Sequence, residues 1–204
     1  CTALSMTALL DVQKDNLAFQ DTITKGKEYL LENLSNLRRA TPMALYNVWS
    51  HAYGIQALVR LFKFSTDENE KEKIWGLIRQ QISMLQKYES IDGGWGYYDF
   101  NAQTKQPSGS SISFVNATAL VGLKEAEEIG ITVPPKMVQK ALDALRRQRL
   151  PDHSYLYGEY LKNKPRRGIN RPAGSLGRSH ACNLALQLWG DETVTTKVHK
   201  ICLD

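Results

Sequence analysis

The chain has 204 residues, 42% of them hydrophobic and 23% charged, which is the composition of an ordinary folded domain with enough apolar material for a buried core. No apolar run approaches the roughly 20 residues of a membrane-spanning helix, and three cysteines (Cys1, Cys182 and Cys202) exclude a dense disulfide framework. The net charge of +5 is uneven: the segment from Arg146 to Arg178 holds nine basic residues against Asp152 and Glu159, a local +7 that leaves −2 for the rest.

From the N-terminus, Thr2–Leu10 has the pattern of an apolar helix, too short and too poor in basic residues for a signal peptide. Beginning at Cys1, inside that pattern and without an initiator Met, the chain is expected to be a piece of a longer one. Its compartment therefore stays open, and an exported or periplasmic form fits if a leader has been removed. Ile23–Leu31 follows as a more polar, amphipathic helix and closes a first hairpin at about 2–34.

An apolar helix around Ala57, headed by His51, and a long amphipathic one over Glu70–Tyr88 make a second hairpin at 48–88. Asp92-Gly-Gly-Trp95-Gly-Tyr97-Tyr98-Asp99 and a polar stretch to Ser111 form the linker. The third hairpin, 113–148, joins a helix from Ser113 through Ala119 to another over Val138–Leu145. A second aromatic linker, Asp152–Gly158, passes through the basic segment into the fourth hairpin, 178–204, with Ala185 in its apolar helix and Val194–His199 in its polar one.

The four apolar helices share a small-residue centre at Ala8, Ala57, Ala119 and Ala185, in steps of 49, 62 and 66 residues. Six residues earlier stand Thr2, His51, Ser113 and Ser179, three of them natural helix N-caps. Each unit is an apolar helix, a turn, an amphipathic helix and a loop. No such unit buries its apolar face alone, so the hairpins must stack.

Gln86 through Asp92-Gly-Gly-Trp95-Gly-Tyr97 resembles the Gln–Trp repeat of squalene and hopene cyclases and the Gly–Gly–Trp repeat of protein prenyltransferase β-subunits. Thr2–Leu10 and Ser113–Leu120 resemble the inner helices of the same superfamily. The resemblance implies an all-α fold, one domain over 1–204, whose repeated helical hairpins form all or part of an α/α-toroid. A complete toroid has about six hairpins, against three and a partial fourth here, so a toroid fragment or an open annulus is expected.

Hairpin geometry gathers each linker and the next inner-helix N-terminus at one end. Tyr53, Trp95, Tyr97, Arg171, Arg178 and His180 are the candidate ligand-binding residues there, with His51 and Asp99 as candidate catalytic groups. Helix N-termini and arginines favour an anion, so Arg166, Arg167, Arg171 or Arg178 should point into a mouth near His51 or Trp95. The competing expectation for Trp95 is burial between the second and third hairpins, and for the basic residues solvation.

Catalysis by the family's chemistry needs an acid or a diphosphate trigger. Neither Asp-x-Asp-Asp nor Asp-Asp-x-x-Asp occurs in the sequence, and the thioester motif Gly-Cys-Gly-Glu-Gln of complement-like toroids is missing too. His180 with Cys182 and His199 with Cys202 are the candidate zinc pairs, but no paired-ligand pattern recurs, so no metal and no cofactor is expected. Most of the charge is separate from the aromatics, which argues against nucleic acid. The leading expectation is a bacterial-type member of the prenyltransferase and terpenoid-cyclase repeat group that binds a small or polymeric, anionic ligand. A non-catalytic scaffold and a polysaccharide-processing enzyme on the same fold are the alternatives. Oligomeric state is not legible.

Overall fold

A computed structural model of the chain describes residues 1–12, 19–37, 48–96, 111–165 and 167–202. Among the described residues eight α-helices run in chain order: α1 (Thr2–Val12), α2 (Gln20–Asn33), α3 (Val48–Phe64), α4 (Glu68–Lys87), α5 (Ser113–Glu128), α6 (Pro135–Gln148), α7 (Pro172–Leu188) and α8 (Thr196–Ile201). Short 3-10 turns supplement them, and among the described residues no strand forms, only the isolated bridges Ile112–Gly158 and Arg149–Tyr155. The protein is all-α.

Local signals set the helix ends. Asp67 caps α4, its carboxylate accepting from the Asn69 N–H at 3.0 Å, with Glu68 and Glu70 in the first turn and Lys87 in the last, as the helix dipole favours. Pro135 opens α6, where its missing N–H costs nothing. Both α5 and α7 close in the same way. Gly130 N–H donates to Glu127 O and Ile131 N–H to Ala126 O; Gly190 N–H donates to Gln187 O and Asp191 N–H to Leu186 O.

Serine capping of the repeated helices, expected from spacing, is not what the serines do. The residue before α5 is Ile112, and Ser113 Oγ donates across to the Leu156 carbonyl at 2.7 Å. Helix α7 starts at Pro172, so Ser179 lies inside it and donates to Ser175 O.

Helices α1, α3, α5 and α7 pack in sequence order, and α2, α4 and α6 each lie against the first helix of their own hairpin. Trp49 meets Phe114 at one end of α3 and α5 and Arg60 meets Glu125 at the other; both pairs stand 65 apart in sequence, so the helices run in the same direction. Ala57, Ala119 and Ala185 are fully enclosed, and a Cβ on Gly122 would meet the Ala52 carbonyl, so the backbones of α3 and α5 approach closely. Ala8 departs from this pattern and is exposed. Helix α1 ends the row, and Ala3, Met6, Thr7 and Leu10 face inward instead.

The Asp92–Trp95 turn locks the second hairpin to the third. Gly93 and Gly94 take φ of +98° and +69°, and a Cβ there would run into the Lys140 carbonyl and the Asn116 amide. Trp95 is wholly buried, its indole N–H donating to Leu85 O at 2.8 Å and its carbonyl accepting from Ile112 N–H at 2.9 Å.

Candidate functional site

Helical spacing gives α3 two faces. His51, Ala52, Ile55 and Leu58 are buried, while Trp49 and Tyr53, one turn apart, are only half-buried and share the other side. Their rings stack at 5.7 Å with an interplanar angle of 11°. Trp49 also contacts Phe114 of α5 at 5.5 Å, and Phe114 contacts Tyr157 of the loop before α7 at 5.4 Å. The guanidinium of Arg178, on α7, lies 5.7 Å from the centroid of Tyr157. Three helices and a loop thus supply one row of rings that ends in a cation.

Two pockets flank this row and share Trp49 and Tyr53. The first, about 380 Å³, lies among α1, α2 and α3 and is mostly apolar, with Leu4, Leu30 and Leu37 in its wall. The second, about 400 Å³, lies among α3, α5 and α7, walled by Phe114, Tyr157, Ile169 and Gly177 with Arg178 alongside.

Arg178 is only 9% exposed. Its Nε donates to Tyr155 O at 3.1 Å and its Nη2 to Ile169 O at 2.6 Å. Burial pushes its pKa below the usual arginine value. Asn170 holds the wall in place: its carbonyl oxygen accepts from Tyr157 N–H and its amide donates to Lys164 O.

The residues expected at one mouth are dispersed. His51 faces α4, its Nδ1 2.6 Å from Gln81 Oε1, and Gln81 in turn donates to Leu34 O. Burial lowers its pKa, against the Gln81 hydrogen bond, and it lines neither pocket. Trp95 is a core residue with no face toward either pocket, because its ring fills the seam between hairpins. His180 is half-buried on α7 and Arg171 is exposed just before it, both outside the pocket walls. Tyr53 and Arg178 do meet at the second pocket. Tyr97, Asp99 and Arg166 lie outside the described residues.

Much of the basic segment is engaged within the protein. Arg146 pairs with Asp143 and Asp191, Arg147 with Glu159, and Arg149 donates to Thr193. Arg147 also reaches the Asp92 carbonyl at 2.6 Å. Burial, then the neighbouring Glu159, pushes the Asp92 carboxyl up to about 6, while Glu159, raised by burial, is brought below its usual range by Arg147 together with the hydrogen bond from Asp92. The cysteines pack: Cys182 is enclosed, its thiol pushed up to about 12 by burial, and Cys202 Sγ accepts from Asn183. His199 pairs with Gln187, and among the described residues no three His, Cys, Asp or Glu gather.

Sequence reasoning missed Trp49 and Phe114, the centre of the ring row. The available signal was the Trp49–Tyr53 spacing of four on a helix whose opposite side is apolar. Compared with protein-family models, curated proteins and solved structures, the chain matches none.

Proposed function

We propose that the chain is a ligand-binding repeat protein of the α/α-toroid kind, related to the prenyltransferase and terpenoid-cyclase repeat group, and that the groove over the ring row holds a largely apolar ligand. The row Tyr53–Trp49–Phe114–Tyr157 carries this reading. Large rings left half-exposed side by side offer area that a ligand can cover, and they lose little side-chain entropy when it does. The stacked hairpins, with α3 and α5 running in the same direction, support the toroid assignment.

Binding is a better reading than cyclisation. The groove wall brings hydroxyls and a guanidinium, and the sequence holds neither of the two aspartate motifs that start cyclisation in the family it resembles. Calorimetric titration with the uncharged probe naphthalene-2-methanol tests it. Trp49→Ala should weaken binding by about tenfold, which is about 1.4 kcal/mol of lost stacking. Binding unchanged by that substitution removes the groove reading.

A further inference from the structure

The strongest chemical signal in the groove is the charge at its end. A buried guanidinium normally has a carboxylate beside it, because removing a cation from water is costly. Among the described residues Arg178 has none. The partners of its Nε and Nη2 are main-chain carbonyls, the groups that act on its charge are Cys182 and Tyr157, and its Nη1 has no partner among the described residues. Tyr157 lies near the guanidinium, and the wall of the second pocket beyond it is uncharged, mostly aromatic or small with Ile169 beside them. A cation held this way, deep and with no counter-ion among the described residues, is arranged for an anion that arrives with the ligand.

We propose that Arg178 is the receptor for a single carboxylate carried on a flat apolar body, the body lying along Phe114 and Trp49. This rests on the groove reading above and adds the ligand's head group. The head-group charge follows from counting. Arg178 is the only charged side chain in the wall of the second pocket among the described residues, so one negative charge is matched there. A phosphate dianion or a diphosphate would bring unbalanced charge into an apolar groove. With Nε and Nη2 already engaged, the remaining guanidinium edge suits one small oxyanion.

The test uses three probes with the same rings: naphthalene-2-carboxylate, naphthalene-2-methanol and 2-naphthyl phosphate, titrated by calorimetry into the whole chain. In the unaltered protein the carboxylate should bind roughly ten- to hundredfold tighter than the alcohol, the worth of a charge-assisted hydrogen bond. Arg178→Met should abolish that preference and leave alcohol binding in place. Gly177→Leu should block all three probes, because Gly177 lines the pocket and a Cβ there meets nothing within 4 Å, so the substitution fills the groove without strain. If Arg178→Met does not fold, the preference in the unaltered protein and the loss of binding of all three probes in Gly177→Leu decide the matter. Equal affinity for carboxylate and alcohol overturns the receptor and leaves the groove standing. Tighter binding of the phosphate overturns the single-charge assignment. Absence of binding by all probes, or a Gly177→Leu variant that binds them unchanged, overturns groove and receptor together.

Discussion

The indole N–H of Trp95 donates to the carbonyl of Leu85 at 2.8 Å, ten residues back along the chain. Leu85 is in the last turn of α4, where its carbonyl also accepts from the Tyr88 N–H at 3.2 Å, so the indole adds a second donor at the helix end and seats the ring at once. Trp95→Ala should cost about 3–5 kcal/mol in urea-unfolding free energy, the range for deleting an enclosed large aromatic. Trp95→Phe keeps most of the packing and removes one of two hydrogen bonds at Leu85 O, which still accepts from Tyr88 N–H at 3.2 Å, and should cost about 0.5–1.5 kcal/mol. A Trp95→Phe variant as stable as the unaltered protein would mean the hydrogen bond contributes nothing.

The alanine anchors give a second, paired expectation. Ala119 is enclosed where α5 packs between α3 and α7, whereas Ala8 faces outward at the end of the row. Ala119→Leu should overpack and cost about 1–3 kcal/mol, while Ala8→Leu should stay within about 0.5 kcal/mol of the unaltered protein. Thermal unfolding of both variants checks this, and a comparable loss from Ala8→Leu would contradict the edge position of α1.

That contrast also marks what the sequence could and could not say. Period alone places the helices well, and the end signals at Gly130, Gly190, Asp67 and Pro135, which that pattern did not use, were also open to reading because they act through their own backbone neighbourhood. Spacing treats the four anchors as equivalent, yet their burial depends on a neighbour on each side, which is a tertiary property. The site was less legible for the same reason. Trp49 and His51 are two residues apart and so lie on nearly opposite sides of α3, and a preference for polar candidates picks the side that faces α4. Charge counting marks the basic segment but cannot separate Arg146 and Arg147, which are paired, from Arg178, which has no carboxylate among the described residues.

His51 provides a pH prediction. Its folded pKa lies below the ordinary 6.5, chiefly through burial, so the unfolded chain takes up the proton more readily than the folded one. Its contribution is fully present above pH 6.5 and is lost as the pH falls from there through the lowered folded value. Asp92, held near 6, works in the opposite sense, since folding favours its protonated form. The comparison to make is therefore between the unaltered protein and His51→Gln, as urea midpoints between about pH 8 and pH 5. The unaltered protein should lose more stability on acidification than the variant, and parallel pH profiles would show that His51 stays neutral in both states or protonates equally.

Arg60 links three helices of the row: Nε donates to Asp11 of α1 and Nη1 to Glu125 of α5, each at 2.7 Å. The two bonds differ in value, because the Asp11 side chain is 54% exposed and that of Glu125 20%. Water screens the first bond nearly to nothing, while the second offsets the burial that pushes the Glu125 carboxyl above its usual range. Arg60→Met should then cost about 1–2 kcal/mol near neutral pH, mostly through the carboxylate it leaves without a partner. The sign with pH follows from Glu125. Its folded pKa rises further in the variant, so the deficit is largest when the carboxylate is charged and shrinks as the pH falls and the group takes up a proton. Adding Glu125→Gln to Arg60→Met should recover most of the lost stability at neutral pH, since the amide needs no counter-charge. Asp11→Asn alone should change the unfolding free energy by less than about 0.5 kcal/mol. Should Asp11→Asn prove as costly as Arg60→Met, the exposed pair rather than the buried one would be what holds α1 against α3.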